Sequence, residues 1–170
     1  MSLAERAFQP EPIKYTTRQG GVPSSPRLNL QPLSQLIANA TEAHTAAIFK
    51  CDSESRSIVL VAAQTLSRDL IPGAEFQFGQ GLVGWVAENQ NQITACPFEN
   101  DATTLMYYSR DQDLKSFLAV PIFSSSRELI GVLACDSKKS YAFPKLAEKV
   151  LADFAAIAGQ FLEFQSSGSP

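Results

Sequence analysis

The run Phe117-Leu118-Ala119-Val120-Pro121-Ile122-Phe123, the polar link Ser124-Ser125-Ser126-Arg127-Glu128 and the run Leu129-Ile130-Gly131-Val132-Leu133-Ala134-Cys135 decide how this chain folds. Short apolar runs rich in β-branched and aromatic residues, joined by a small polar link, form an antiparallel hairpin. Neither run alternates polar with apolar, so both faces of the hairpin need cover. Upstream, Thr45 to Cys51 and Ser57 to Thr65 repeat the arrangement about the turn Asp52-Ser53-Glu54-Ser55-Arg56. Ala46 and Ile48 lie on one face there and Ala47 and Phe49 on the other, and both faces are apolar again.

The cover comes from outside the hairpins. Leu30, Leu33, Leu36, Ile37 and Ala40 recur at helical spacing, with Asn29 as cap and Pro32 tolerated in the first turn. A second helix, from about Pro144 to Phe164, carries Leu146, Val150, Phe154, Ile157 and Phe161, with Leu151, Ala158 and Leu162 widening the stripe. That stripe is wider than one sheet contact requires, which predicts a second partner surface, the same helix of another subunit. Between the hairpins the pattern gives short strands at Glu75 to Phe78 and Gln92 to Ala95, a helix from Gly81, and an aromatic-rich stretch from Phe98 to Leu114. The fold class is α+β: an antiparallel sheet with terminal helices on one face and an irregular roof on the other. A roofed sheet encloses space for a small molecule.

The chain has 170 residues, 45% of them hydrophobic and 18% charged, which predicts one domain, and no run approaches a membrane span. Seventeen acids against 14 bases give a net charge of −3, so phosphates are not attracted and neither nucleic acid nor membrane is an expected partner. His44 is the lone histidine, a poor inventory for metal or acid/base chemistry; no metal site and no catalytic residue is assigned. Cys51, Cys96 and Cys135 are too scattered for a disulfide scaffold, and Glu5 and Arg6 interrupt any signal-peptide core, so the expected location is the cytoplasm. Residues 1–29, rich in Pro, Gly and Ser, are expected to be a flexible arm, 30–165 the domain, and 166–170 a tail.

Gly79-Gln80-Gly81-Leu82-Val83-Gly84 matches the dinucleotide-binding fingerprint G-x-G-x-x-G, with Asp101 about twenty residues on. Its context does not. The preceding Glu75-Phe76-Gln77-Phe78 alternates, whereas a Rossmann first strand is buried on both faces, and no βα units follow. These glycines are read as a tight turn that lets a helix pack closely.

The run Gly79 to Glu88, then Leu114-Lys115-Ser116-Phe117-Leu118-Ala119-Val120-Pro121-Ile122, then Leu129 to Ser137, resembles the GAF domain family in order and spacing over about 30–164. The resemblance implies a six-stranded antiparallel sheet, helices on one face that commonly form dimers, and a regulatory small-molecule pocket on the other. It implies sensing and relay rather than catalysis. Departures narrow it. Phe98-Glu99-Asn100-Asp101 lacks the Asn-Lys partner of cyclic-nucleotide-binding members, and His44 lies far from any cysteine, unlike bilin-binding members; it is read as a helix C-terminal residue. The free methionine-R-sulfoxide reductases, GAF-fold thiol enzymes, carry a cysteine in the Gly-x-x-Gly turn where this chain has Leu82 and Val83. Cys96 and Cys135 keep that enzyme class as the alternative.

For the pocket, Met106-Tyr107-Tyr108 stands out, flanked by Phe98 and Asp101 before it and by Asp111 and Lys115 after it, because aromatic walls with a few polar groups suit a planar ligand. Either tyrosine can equally pack over the sheet with its hydroxyl in solvent. Trp85 poses the same choice between pocket and core. Leu114, Ser116, Leu118 and Cys135 complete the candidate lining, assigned by alternation, while Asp101, Asp111 and Asp113 are also explained as caps and solvated loop. The dimer helices are expected to meet through Leu33, Ile37, Leu151, Ala158 and Leu162. A ligand, of unknown identity and with no cofactor indicated, would order the 96–115 segment and pass the change through the sheet to the helices of a homodimer and on to an effector protein or domain.

Overall fold

The computed structural model describes residues 29–97 and 101–167. Its elements are α1 (Gln31–Thr41), β1 (Thr45–Asp52), β2 (Ser57–Thr65), β3 (Glu75–Gln77), α2 (Gly81–Asn89), β4 (Ile93–Ala95), α3 (Asp101–Leu105), β5 (Ser116–Phe123), β6 (Leu129–Ser137) and α4 (Lys145–Ser167). The sheet has six strands in the order β3-β2-β1-β6-β5-β4, every pairing antiparallel. The hairpins β1–β2 and β5–β6 lie side by side through β1 and β6, with Ala47 opposite Ala134 and Phe49 opposite Val132. Both edges, β3 and β4, come from the stretch between the hairpins. The chain therefore has to cross one face of the sheet from edge to edge, and that crossing makes the roof.

Each face has its own apolar cluster, as the unalternating strands require. On the helix face Ile48, Leu118, Ile122 and Leu133 pack beneath Ile37 of α1 and Leu151 and Leu162 of α4. On the roof face Phe49, Ile58, Phe117 and Val132 pack beneath Val83, Val86, Leu105, Tyr107 and Leu114. Each such side chain contributes about 1.5–3 kcal/mol on burial.

Local signals explain the element ends. Leu30 occupies the N-cap of α1, while Asn29, one residue earlier than a cap, still accepts the Gln31 N–H at 2.9 Å through Oδ1. Gly81 (φ +64°) opens α2, and a Cβ there would lie 2.5 Å from the Thr104 carbonyl oxygen. At Gly84 a Cβ would lie 2.9 Å from the Gln77 carbonyl oxygen, so the glycine motif serves a turn and a close approach. Gly159 lets α4 settle on β5, since a Cβ would stand 2.6 Å from the Phe123 carbonyl oxygen.

α4 continues to Ser167, past the boundary placed at 165, and residues 1–28 of the expected arm lie outside the described residues. Leu33, Ile37, Leu151, Ala158 and Leu162 are not outward dimer residues: all are buried against the sheet. The stripe on α4 is wide because the helix packs on β5, β6 and α1 together. The outward apolar side chains are Leu36, Leu146, Ile157 and Phe164. Among the described residues no helix is long and apolar enough to cross a membrane.

Candidate functional site

One end of the roof face carries a polar row across three strands, ending against Phe117 of a fourth. Thr65 of β2 pairs with Thr45 of β1, Thr45 with Asp136 of β6, and Asp136 with Phe117 of β5. Asp136 is fully buried, an expensive place for a carboxyl group unless donors reach it. Two phenols do. The Tyr107 hydroxyl donates to Asp136 Oδ2 at 2.9 Å and the Tyr108 hydroxyl donates to the same oxygen at 2.8 Å.

The direction of the remaining bonds follows because each hydroxyl has one proton. Tyr108 spends its proton on Asp136, so the Thr45 hydroxyl donates to Tyr108, and the Thr65 hydroxyl donates to Thr45 at 2.6 Å. The Ser67 N–H closes the row by donating to Thr65 Oγ1 at 3.0 Å. Burial first, and the Asp136 charge second, hold both phenols above their ordinary pKa, so both remain protonated donors at neutral pH.

The tyrosines arrive on the segment Leu105–Leu114, which is joined to the loop after β2. The Ile71 N–H donates to the Tyr107 carbonyl, the Ser109 N–H donates to the Asp69 carbonyl, both at 2.9 Å, and Leu70 bridges Tyr108. Gln112 adds a bond from Nε2 to Asp69 Oδ2 at 3.0 Å. Tyr107 lies in a file of rings, 5.5 Å from Phe49 and 4.8 Å from Tyr108 between centroids.

Set against this geometry, the sequence-derived pocket divides. Tyr107, Tyr108 and Leu114 share the buried roof cluster, with the tyrosine hydroxyls on Asp136 rather than in solvent. Leu118 and Cys135 lie on the opposite face, under the helices. Both faces are apolar, so alternation fixes which residues share a face and leaves open which face is roofed. Ser116 is buried at the strand end, its hydroxyl donating to the Lys139 carbonyl at 2.6 Å and accepting the Ala142 N–H at 3.1 Å. Trp85 stands 40% exposed on α2, in neither pocket nor core. Asp111 lies on the surface, where Oδ1 accepts the Ala102 N–H at 2.8 Å as a cap on α3. Phe98 lies outside the described residues, as does the Asp101 side chain. His44 falls beyond the end of α1, its N–H donating to the Asp136 carbonyl at 2.8 Å.

Asp136, Thr45 and Phe49 were missed. The available signal was an acid directly after the apolar run Leu129 to Cys135, a polar residue inside a strand that needs burial on both faces.

The thiols differ in character. Burial pushes Cys51 and Cys135 up to about 12, which leaves both protonated and poorly nucleophilic near neutrality. Cys96 is half-buried, and its Sγ accepts the Tyr141 N–H at 3.2 Å. Among the described residues no three His, Cys, Asp or Glu side chains are grouped to hold a metal ion.

The sequence pattern of the GAF domain matches residues 30–163, from the start of α1 almost to the end of α4. The chain belongs to the GAF domain family. Solved structures repeat the fold of this GAF domain. The GAF domain from an Acinetobacter phosphoenolpyruvate-protein phosphotransferase is 22% identical, with a TM-score of 0.67 over 81% of this chain and 82% of that one. Free methionine-R-sulfoxide reductase from Neisseria meningitidis is 20% identical, with a TM-score of 0.67 over 84% and 81%. The type II reductase from Thermoplasma acidophilum is 18% identical, with a TM-score of 0.66 over 81% and 92%. Among curated proteins, none matches the chain.

Proposed function

We propose that this GAF domain is a cytoplasmic sensory module that binds a small molecule beneath its roof and relays occupancy through a homodimer of its helices to an effector. One observation carries the reading: a buried polar row centred on Asp136, inside an otherwise apolar interface between sheet and roof. An apolar row would seal that interface at less cost, so the polar groups point to recognition. Leu105, Tyr107, Tyr108 and Leu114 are already buried, so the ligand acts by exchange for the tyrosines and not by ordering a loose segment. Such a molecule has an apolar body to replace a phenol ring against Phe49 and a hydrogen-bond donor for Asp136. Leu36, Ile157 and Phe164, exposed on α1 and α4, supply the surface for the second subunit.

Native mass spectrometry of freshly purified protein tests the ligand: a co-purifying small molecule lost on Asp136→Asn is expected, and no bound molecule under any expression condition opposes the reading. Sedimentation at micromolar concentration tests the dimer, and monomer alone removes it.

Cys96, the half-buried thiol, keeps a second reading: a thiol enzyme acting on free methionine sulfoxide, the class to which two of the structural relatives belong by name. Assay with a thiol reductant decides it. Turnover abolished by Cys96→Ser establishes the enzyme; absence of turnover removes it.

A further inference from the structure

We propose that the segment Leu105–Leu114 is a latched strap whose closed state is held by Asp136, with Tyr107 and Tyr108 as the catch. The purpose of the latch rests on the sensory reading above; its operation does not.

The strap and the loop after β2 form one body, joined through Ile71 to Tyr107, Asp69 to Ser109 and the Leu70–Tyr108 bridge. That body is tied to the sheet where two tyrosine hydroxyls share Asp136 Oδ2. The catch releases in one step because water, once admitted, competes for the carboxyl group that both phenols use. If one phenol leaves, water reaches the carboxyl group and replaces the second phenol at little cost, so partly opened forms have no special stability.

The ends of the strap are placed to turn. Met106 (φ 69°) and Asp113 (φ 57°) are both left-handed without being glycine, a conformation held by surrounding contacts and relaxed when these are lost. Beyond Asp113, the Lys115 N–H donates to the Ser137 carbonyl at 2.8 Å and fixes the strap's exit to β6. Under the closed strap Tyr107 is fully buried, so the site is filled by its own side chain until the catch releases.

Native-state hydrogen exchange on the full chain tests the latch. In the unmodified protein the Ile71 and Ser109 amides are expected to exchange roughly tenfold or more faster than the core amides of β1 and β6, with little dependence on urea below the unfolding transition. The Tyr107→Phe/Tyr108→Phe variant keeps the ring volume and is expected to speed the strap amides by about tenfold or more. Leu151→Ala, on the helix face, is expected to speed the β1 and β6 amides and leave the strap amides within about twofold. Strap amides as slow and as urea-dependent as β6, or accelerated by Leu151→Ala in step with it, would overturn the proposal. So would strap amides unmoved by the tyrosine changes, and Tyr108→Phe alone serves if the double variant does not fold. No ligand enters this experiment, so a failed search for a bound molecule and a failed latch are separate results.

Discussion

Gly159→Ala sets two effects of known sign against each other on α4. On helix propensity alone the change stabilises, because glycine in a helix interior is about 0.8–1 kcal/mol worse than alanine. The structure reverses the sign. The new Cβ would lie 2.6 Å from the Phe123 carbonyl oxygen and has to retreat to the 3.4 Å at which ordinary contact begins. A backbone oxygen in a strand cannot rotate aside, so α4 itself moves off β5, loosening Leu151, Ala155, Ala158 and Leu162 together. Gaps of that size forfeit about a quarter to a half of a contact's attraction, and overpacking of a close-packed interface costs about 1–3 kcal/mol. The net expectation is a loss of up to about 2 kcal/mol after the propensity gain is subtracted, so the gain is at least cancelled. Urea unfolding at fixed temperature reads it, with Ala152→Gly, at an exposed position of the same helix, as the control that measures propensity alone. A Gly159→Ala protein stabilised by the full propensity gain that Ala152→Gly measures refutes the close approach of α4 to β5.

Alkaline pH should destabilise the fold in two stages. The folded pKa of Cys51 and Cys135 is raised from 9.0 to about 12, so their contribution is intact below 9 and is lost as pH climbs toward 12. Tyr107 and Tyr108 are raised above 10.0 and join beyond it, each group removing up to about 1.4 kcal/mol per pH unit, read as the urea midpoint against pH. A thiol reagent on the native protein should label Cys96 and spare the buried Cys51 and Cys135, all three reacting in denaturant; early labelling of Cys135 would contradict its place under the helices. Ile157→Asp, on an exposed position, should shift sedimentation from dimer to monomer and lower the urea midpoint no further than dilution of the parent to its monomer does; a larger fall would mean that Ile157 serves the monomer core.

Much of the fold was legible because burial on both faces is written into composition. Phe117 to Phe123 and Leu129 to Cys135 carry no polar alternation, which demands a layer on each side, and α1, α4 and the roof provide them. The glycine motif was legible for the same kind of reason, since Glu75-Phe76-Gln77 alternates and forms an edge strand. The site was only half legible. Period two in a strand pairs Leu118 with Cys135 on one face, but a sequence apolar on both faces has no mark for the roofed side, and they went to the wrong one. A shift of one residue along β6 reaches Asp136. Trp85 failed differently: it was weighed between pocket and core, whereas α2 seats on the sheet through the smaller Val83, Val86 and Ala87.

Asp136 and Cys135 are neighbours on β6, and they look in opposite directions. The carboxyl group meets the roof tyrosines, while the thiol sits 3.8 Å from Thr41 Oγ1 in the last turn of α1. A single peptide unit therefore separates the roof's anchor from the end of a helix. A substitution at either position therefore acts on a strand packed from both sides, and the two halves of the core, roof and helices, stand only one strand's thickness apart here.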